Sequence, residues 1–454
     1  RDLHLSIRRQ RQMCIRDRPH EDLKESKLKY GWVILGLIFG NLFVEGGVRN
    51  SQPVFLPILK QSFGGSAALT AAIFSASGIV AGFTSPILGK LLDKIGPRLM
   101  FALAGVMILL GFWASSMVTH MWQLFIFYSL VSTLGYTAIG SFSATAVLAP
   151  WFPKSKGVML GIADSGNPTG QAVITPLTQF TISNFGWRAG FQVIGIIFFL
   201  VTTPLNFLFQ RKPPDFNDNS INPETTNLET VSSDSYNNNS EIHSNVEPID
   251  PIEIQKFSAF REPAVWFLLL SRSTGSISHQ MTNLHIIAFF VLAGYGEMQS
   301  ATALGASGLI GIIARPTFGI LSDKLGRELV FTIAMGMTFL SIMVVILLTG
   351  GSSLWALILF VALTGLSDGL SGLILGAKAA DLYPPHVLGS VMGIIDIGRG
   401  IGWAAGGILT GLLFDIFGDY TLAYWAAAFL VLVSIGSQWV VKLVEPKNLL
   451  PETL

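Results

Sequence analysis

The chain has 454 residues, half of them hydrophobic and only 13% charged, with a mean hydropathy of +0.56 and a net charge of +1. A soluble domain is about a quarter charged, so this is a polytopic membrane protein, and its near-neutral balance offers no bulk attraction for nucleic acid. The single cysteine, Cys14, excludes a disulfide framework and a cysteine metal site.

In chain order, residues 1–18 are basic and lack an apolar centre, so they form neither a signal peptide nor a spanning helix. The whole of 1–29 reads as a cytoplasmic tail, or as a gene-calling artefact because it starts at Arg1. Crossing about 30 Å of hydrocarbon takes about 20 apolar residues in a helix. Six such runs follow, at 32–59, 67–91, 99–118, 121–149, 158–183 and 189–209. Six more lie at 264–292, 298–322, 329–348, 354–379, 387–414 and 421–441. The expected fold is all-α: twelve transmembrane helices in two six-helix bundles, 30–211 and 261–444. Between them, 212–260 has nine acids and no base from Pro213 to Gln255, which predicts a disordered acidic cytoplasmic linker. Residues 445–454 form a short tail.

Lys and Arg set the orientation. With both termini inside, the inner loops and tails hold twenty-two of them and the outer loops only Lys60 and Arg188. The expected location is a plasma (inner) membrane with both termini and the linker cytoplasmic.

Five bases fall inside spans: Arg49, Arg272, Arg315, Lys378 and Arg399 of spans 1, 7, 8, 10 and 11. Four acids join them: Glu45, Asp164, Asp368 and Asp396 of spans 1, 5, 10 and 11. A charge at the bilayer centre costs about 2.5–3.5 kcal/mol on the insertion scale, so these side chains turn toward protein or a wet cavity. Spans 3, 6, 9 and 12 carry no charge and are expected to face lipid. At about 1.5 Å per residue, Arg399, His279 and Asp368 lie near the midplane, Arg272 and Arg315 roughly 10 Å from the cytoplasmic end, and Arg49 toward the far side. On that reckoning Arg272 and Arg315 suit an inner gate as well as a substrate site.

Glu45 with Arg49, and Asp396 with Arg399, share helix faces and either neutralise one another or serve a substrate. Tyr136 makes span 4 polar without charge; His279 is either a packing residue or a proton carrier. Asp164, beside Asn167 and Pro168, suits the seam between bundles or a proton relay. Lys378, at the end of span 10, is expected to snorkel to the interface, and His285 to be structural.

One pattern occurs twice. Gly89-Lys90-Leu-Leu-Asp93-Lys94-Ile-Gly96-Pro97-Arg98 follows the second span, and Gly319-Ile-Leu-Ser-Asp323-Lys324-Leu-Gly326-Arg327 follows the eighth. In both, glycines permit a tight turn, the acid ends its helix beside a base, and Arg98 or Arg327 remains at the headgroups. Such an echo implies an internal duplication.

Both loops resemble the signature of the major facilitator superfamily. The segments Trp151-Phe152-Pro153-Lys154-Ser155-Lys156-Gly157, Gly161-Ile162-Ala163, Gly186-Trp187-Arg188 and Ala314-Arg315-Pro316 are similar to its bacterial monocarboxylate and oxalate–formate type members. The resemblance implies two six-helix pseudo-repeats, with spans 1, 4, 7 and 10 around a central cavity and spans 2, 5, 8 and 11 at the seam. It implies that Arg315 holds a substrate carboxylate. Gly311 stands where the animal members carry an acid, so their acid–arginine protonation scheme does not transfer.

The expected function is secondary active transport of a small organic anion, a monocarboxylate, by alternating access with proton symport or anion exchange. The substrate candidates are Arg315, Arg399, Arg272, Arg49, Tyr136 and His279; the proton-coupling candidates are Asp368, Asp396, Glu45 and Asp164. The conformational-switch candidates are Gly89, Asp93, Arg98, Gly319, Asp323 and Arg327. Two alternatives stand beside this: an exporter or carrier of neutral or dicarboxylate solutes, and a non-transporting nutrient sensor. No Walker loop or catalytic triad occurs, so the sequence gives no support for an enzyme, and no cofactor or metal is called for.

Overall fold

The computed structural model describes residues 30–152, 156–211, 262–348, 353–383 and 385–444, with the side chains of 86, 93, 141, 142, 149, 156, 157 and 385–390 outside that set. The expectations for residues 1–29, the linker and the tail 445–454 lie outside the described residues.

The described chain is helical throughout, and ten of its helices are long and apolar enough to cross a membrane. Two local features account for the expected twelve. The 52-residue stretch Val158–Phe209 measures about 78 Å at ~1.5 Å per residue, far more than one bilayer. Gly186, at φ 83°, turns the chain within it. The seventh crossing is missed by hydropathy alone, because its polar run from Arg272 to Gln280 dilutes an otherwise apolar helix.

The crossings are α1 (Tyr30–Phe63), α2 and α3 (Ala67–Ser116, divided at Gly96), and α4 (Met121–Leu148). Then come α5 and α6 (Val158–Phe209, divided at Gly186) and α7 (Pro263–Asn283, continued by Ile286–Leu292). The last five are α8 (Glu297–Leu325), α9 (Arg327–Leu347), α10 (Leu354–Leu382), α11 (Pro385–Phe417) and α12 (Thr421–Leu443).

The duplication extends to the backbone. Glycines with positive φ pair at one identical spacing, Gly64 with Gly294 and Gly96 with Gly326, and Gly186 pairs with Gly418 at a spacing two residues longer. Each ends a helix where an L side chain would be strained. The turn in both echoed loops is therefore made by the second glycine, Gly96 or Gly326, rather than by Gly89 or Gly319, which sit within helices. Both bundles also interrupt their fourth helix in mid-span, α4 at Gly140 and α10 at Asp368–Gly369.

Tyr30 donates to the Phe209 carbonyl at 2.5 Å, so the start of α1 and the end of α6 share one face, here the terminal face. The bundles meet along two seams, α2 against α11 and α5 against α8, and the seams are tight toward the far face only. On α11, a Cβ added to Gly411 would lie 2.6 Å from Ala68 of α2, and one on Gly407 2.9 Å from Ser75 Oγ. On α8, Gly308 and Gly305 approach Pro168 and Pro176 of α5 as closely. Small residues let backbones meet without lipid between them. Toward the terminal face Gly82, Gly161, Gly393 and Gly400 would meet nothing within 4 Å.

The far face is further fastened by Asp415 of α11. Its carboxylate accepts from the first two backbone N–H groups of α2, Ala67 at 2.8 Å and Ala68 at 2.9 Å, where an anion satisfies orphan donors and the helix dipole. Lys60 lies 4.4 Å over the Phe414 ring, and Phe414 stacks on Tyr420 at 4.4 Å. Burial, and less strongly Asp415, pushes the Tyr420 phenol above its usual range. His285 is fully buried and bonds the Gly407 carbonyl at 3.0 Å, the structural role expected of it.

Candidate functional site

Where the tight seam ends, Trp403 of α11 forms a ceiling. A Cβ on Gly78 of α2 would lie 2.6 Å from Trp403 Cβ, and the Arg49 guanidinium of α1 lies 4.0 Å from the Trp403 ring centre. Arg49 also bonds Glu45 Oε1 at 3.3 Å, the i,i+4 pair that the sequence predicts. Two turns below the ceiling, Asp396 Oδ1 lies 3.5 Å from Arg399 Nε and 3.9 Å from Arg272 Nη2, close enough to pair with both. Arg399 and Asp396 are 42% and 52% exposed, so this group is not packed over by neighbouring helices. Arg272, Arg399 and Arg49 lie within electrostatic reach of one another. Three guanidiniums thus meet two carboxylates, which leaves one positive charge for an incoming anion.

The second constellation has the opposite balance. Arg315 Nη1 bonds Asp164 Oδ2 across the α5–α8 seam at 2.7 Å, and Nη2 bonds Asp368 Oδ2 of α10 at 3.4 Å. Counting helix residues sets Arg315 too shallow to reach Asp368, but α8 runs on to Leu325, which puts Arg315 about 15 Å in at ~1.5 Å per residue. Its long side chain covers the rest. A Cβ on Gly311, one turn away on α8, would lie 3.4 Å from Pro168 Cβ and 3.6 Å from the Gly365 carbonyl, ordinary contact across the seam. Here the carboxylates for this arginine come from α5 and α10.

Two glycines of α10 make room for the arginines. A Cβ on Gly369 would lie 2.6 Å from Arg315 Nη2, and one on Gly372 2.6 Å from Arg272 Nη1. Gly369, at φ 75°, also turns the chain where the helix breaks. Beside the break lies a cavity of about 60 Å³ within the second bundle, lined by α7, α9 and α10 and bordered by His279 and Asp368.

The family model for the Major Facilitator Superfamily matches residues 37–406 and 312–452. The chain belongs to that superfamily. Zebrafish monocarboxylate transporter 12-B is 22% identical over 419 residues, covering 89% of this chain and 85% of its own. Human monocarboxylate transporter 11 is 23% identical over 424 residues, covering 89% and 81%. A bacterial homologue of the human lysosomal transporter Spinster, solved inward-facing and unoccupied, superposes with a TM-score of 0.69 at 13% identity over 94% of this chain and 99% of that one.

The superfamily fold thus gathers most of the sequence-predicted residues into these two constellations, but not all. Tyr136 is buried in the first bundle and accepts from Thr133 Oγ1 at 2.9 Å. Lys378 does not snorkel: it is buried, with Nζ 2.6 Å from Glu328 Oε1 of α9, because α10 packs its inner end against α9 before reaching the interface. Span 9, expected to face lipid, also lends Thr338 and Ser341 to the cavity.

In the switch loops, Arg327 bonds Asp323 at 2.5 Å and Asp381 at 2.8 Å, tying the α8–α9 turn to the end of α10. Arg98 bonds the Phe207 carbonyl at 2.5 Å, tying the α2–α3 turn to α6. The Asp93 side chain lies outside the described residues. Sequence reading overlooked Trp403 and Asp415, whose partners are distant in sequence; only their apolar helix gave a hint.

Proposed function

We propose that this superfamily member is a secondary active transporter of a small organic anion of the monocarboxylate class, working by alternating access. The observation that carries the reading is the net-positive group of Arg49, Arg272 and Arg399, drawn from both bundles and partly exposed. A guanidinium fork matches a carboxylate, and the relatives' names as monocarboxylate transporters point to the same class. Arg315, already engaged by two carboxylates, then serves as the exchangeable partner: an arriving anion displaces Asp164 or Asp368 and loosens the link between bundles.

In this reading the termini are cytoplasmic, as the distribution of Lys and Arg favours, the membrane is the plasma (inner) membrane, and the open seam faces inward. Alternation opens the far seam while closing the glycines of the terminal side. The test is uptake of labelled short-chain monocarboxylates into proteoliposomes. Saturable flux that Arg399→Gln weakens supports the reading; no flux with any carboxylate, or flux indifferent to Arg399 and Arg272, overturns it.

A further inference from the structure

We infer that the cavity inside the second bundle is a sodium-ion site, with Asp368 as its charged ligand. The broken helix supplies the first argument. Leu354–Ser367 ends at the cavity, so the carbonyl end of that half-helix, its negative pole, lies beside Asp368. Interrupted helices at mid-membrane are where transporters bind substrates and ions, cations at the carbonyl end and anions at the N-terminal end, and here the N-terminus of Leu370–Leu382 stands across the same break.

The donor inventory supplies the second argument. Thr282 and Thr338 line the cavity, and each donates its hydroxyl proton to a carbonyl of its own helix, Ser278 at 3.1 Å and Ala334 at 3.3 Å. Ser367 donates to the Thr364 carbonyl at 3.2 Å. Ser341 and Thr364 share one hydrogen bond at 2.7 Å. A hydroxyl has one proton and two lone pairs, so Thr282, Thr338 and Ser367, their protons committed to carbonyls, are left as acceptors, while the Ser341–Thr364 pair keeps one proton to give. His279 and Asn283 also border the cavity and can donate, but Asp368 is the one charged group in the lining, and together with these acceptors it suits a cation.

Charge supplies the third. Asp368 gives Oδ2 to Arg315, while Oδ1 has no hydrogen-bond partner among the described residues. Arg315 stands closer to Asp164 than to Asp368, at 2.7 Å against 3.4 Å, so its one charge serves two carboxylates. A cation in the adjoining cavity completes the neutralisation of Asp368. One carboxylate among neutral oxygens fits a monovalent ion better than a divalent one, which collects several carboxylates.

Size supplies the last. At about 10–15 Å³ for each water-sized sphere, the 60 Å³ cavity holds roughly four. That is room for an ion with its remaining waters. Sodium on Asp368 weakens the competing hold of Asp368 on Arg315 and so favours an anion there. This coupling rests on the transport reading above, but the binding does not.

The test is thermal unfolding of the purified full-length protein in NaCl against choline chloride at constant ionic strength, without any carboxylate. A saturable rise in Tm specific to NaCl is expected, with Asp368→Asn weakening the apparent sodium affinity about tenfold or more, since ligand charge tunes such sites over decades. Thr338→Val, which removes one neutral ligand and no charge, is expected to weaken it several-fold and decides the matter if Asp368→Asn does not fold. Equal Tm in both salts overturns the proposal, as does a sodium effect unchanged in both variants. Absent carboxylate uptake with intact sodium stabilisation removes the transport reading and leaves the site.

Discussion

Asp164 and Arg315 stand 2.7 Å apart although they belong to different bundles. Their bond lies where the tight part of the α5–α8 seam gives way to the open part. Any rocking of one bundle against the other must stretch it. A double-mutant cycle of Asp164→Asn and Arg315→Gln, read by thermal unfolding, is expected to give a coupling of about 1–2 kcal/mol, toward the lower end of contacting pairs because Asp164 is partly wet. A coupling near zero would remove the pair from the seam's energetics.

Arg399 is the most exposed of the three guanidiniums below Trp403. A hydrogen bond to a charged group contributes about 1.5–3 kcal/mol, so Arg399→Gln is expected to raise the KM for a monocarboxylate about tenfold or more. Arg399→Lys keeps the charge but loses the fork, and is expected to fall between the two. The Tm of both variants should stay close to that of the parent, which separates a binding defect from a folding one.

How much of this was readable in the sequence follows from how far apart the partners lie along the chain. Glu45 with Arg49 and Asp396 with Arg399 are one helical turn apart, and spacing alone pairs them. The number of crossings followed from apolar runs of about 20 residues, and the separation of charged from uncharged helices from the cost of burying charge in lipid. The links Asp164 to Arg315 to Asp368, Lys378 to Glu328 and Arg49 to Trp403 join different helices, and no local pattern reports them. The α10 break was hidden because Gly369 resembles any packing glycine of a spanning helix. Thr338 and Ser341 were hidden because a hydroxyl in an apolar helix usually bonds its own backbone.

The bond of Asp415 to the first turn of α2 fastens the far face. Losing an N-terminal capping acceptor costs about 1 kcal/mol, which is roughly a fivefold change in the balance between the two open states. In Asp415→Ala carrying Cys14→Ser and Ser75→Cys, an impermeant thiol reagent on the far side is expected to label position 75 about fivefold faster. Unchanged labelling would place the fastening elsewhere along the seam.

The glycines of the two seams allow a sharper test, because they divide by state. Gly308 is closed upon: a Cβ there would sit 2.5 Å from the Pro168 carbonyl, and backbone cannot yield as a flexible side chain does. Gly308→Val is therefore expected to force α5 from α8 toward the far face, lowering Tm by way of about 1–3 kcal/mol of overpacking. Gly161, on the terminal half of α5, meets nothing within 4 Å. Gly161→Val has no such contact to break and is expected to leave Tm within a degree or two of the parent. If alternation brings the terminal halves together as the far halves now are, Gly161→Val must obstruct that second state. Turnover should then fall steeply while anion binding to the present state persists. Full turnover in Gly161→Val would show that α5 never packs closely at this position, and that the bundles do not exchange one tight seam for the other.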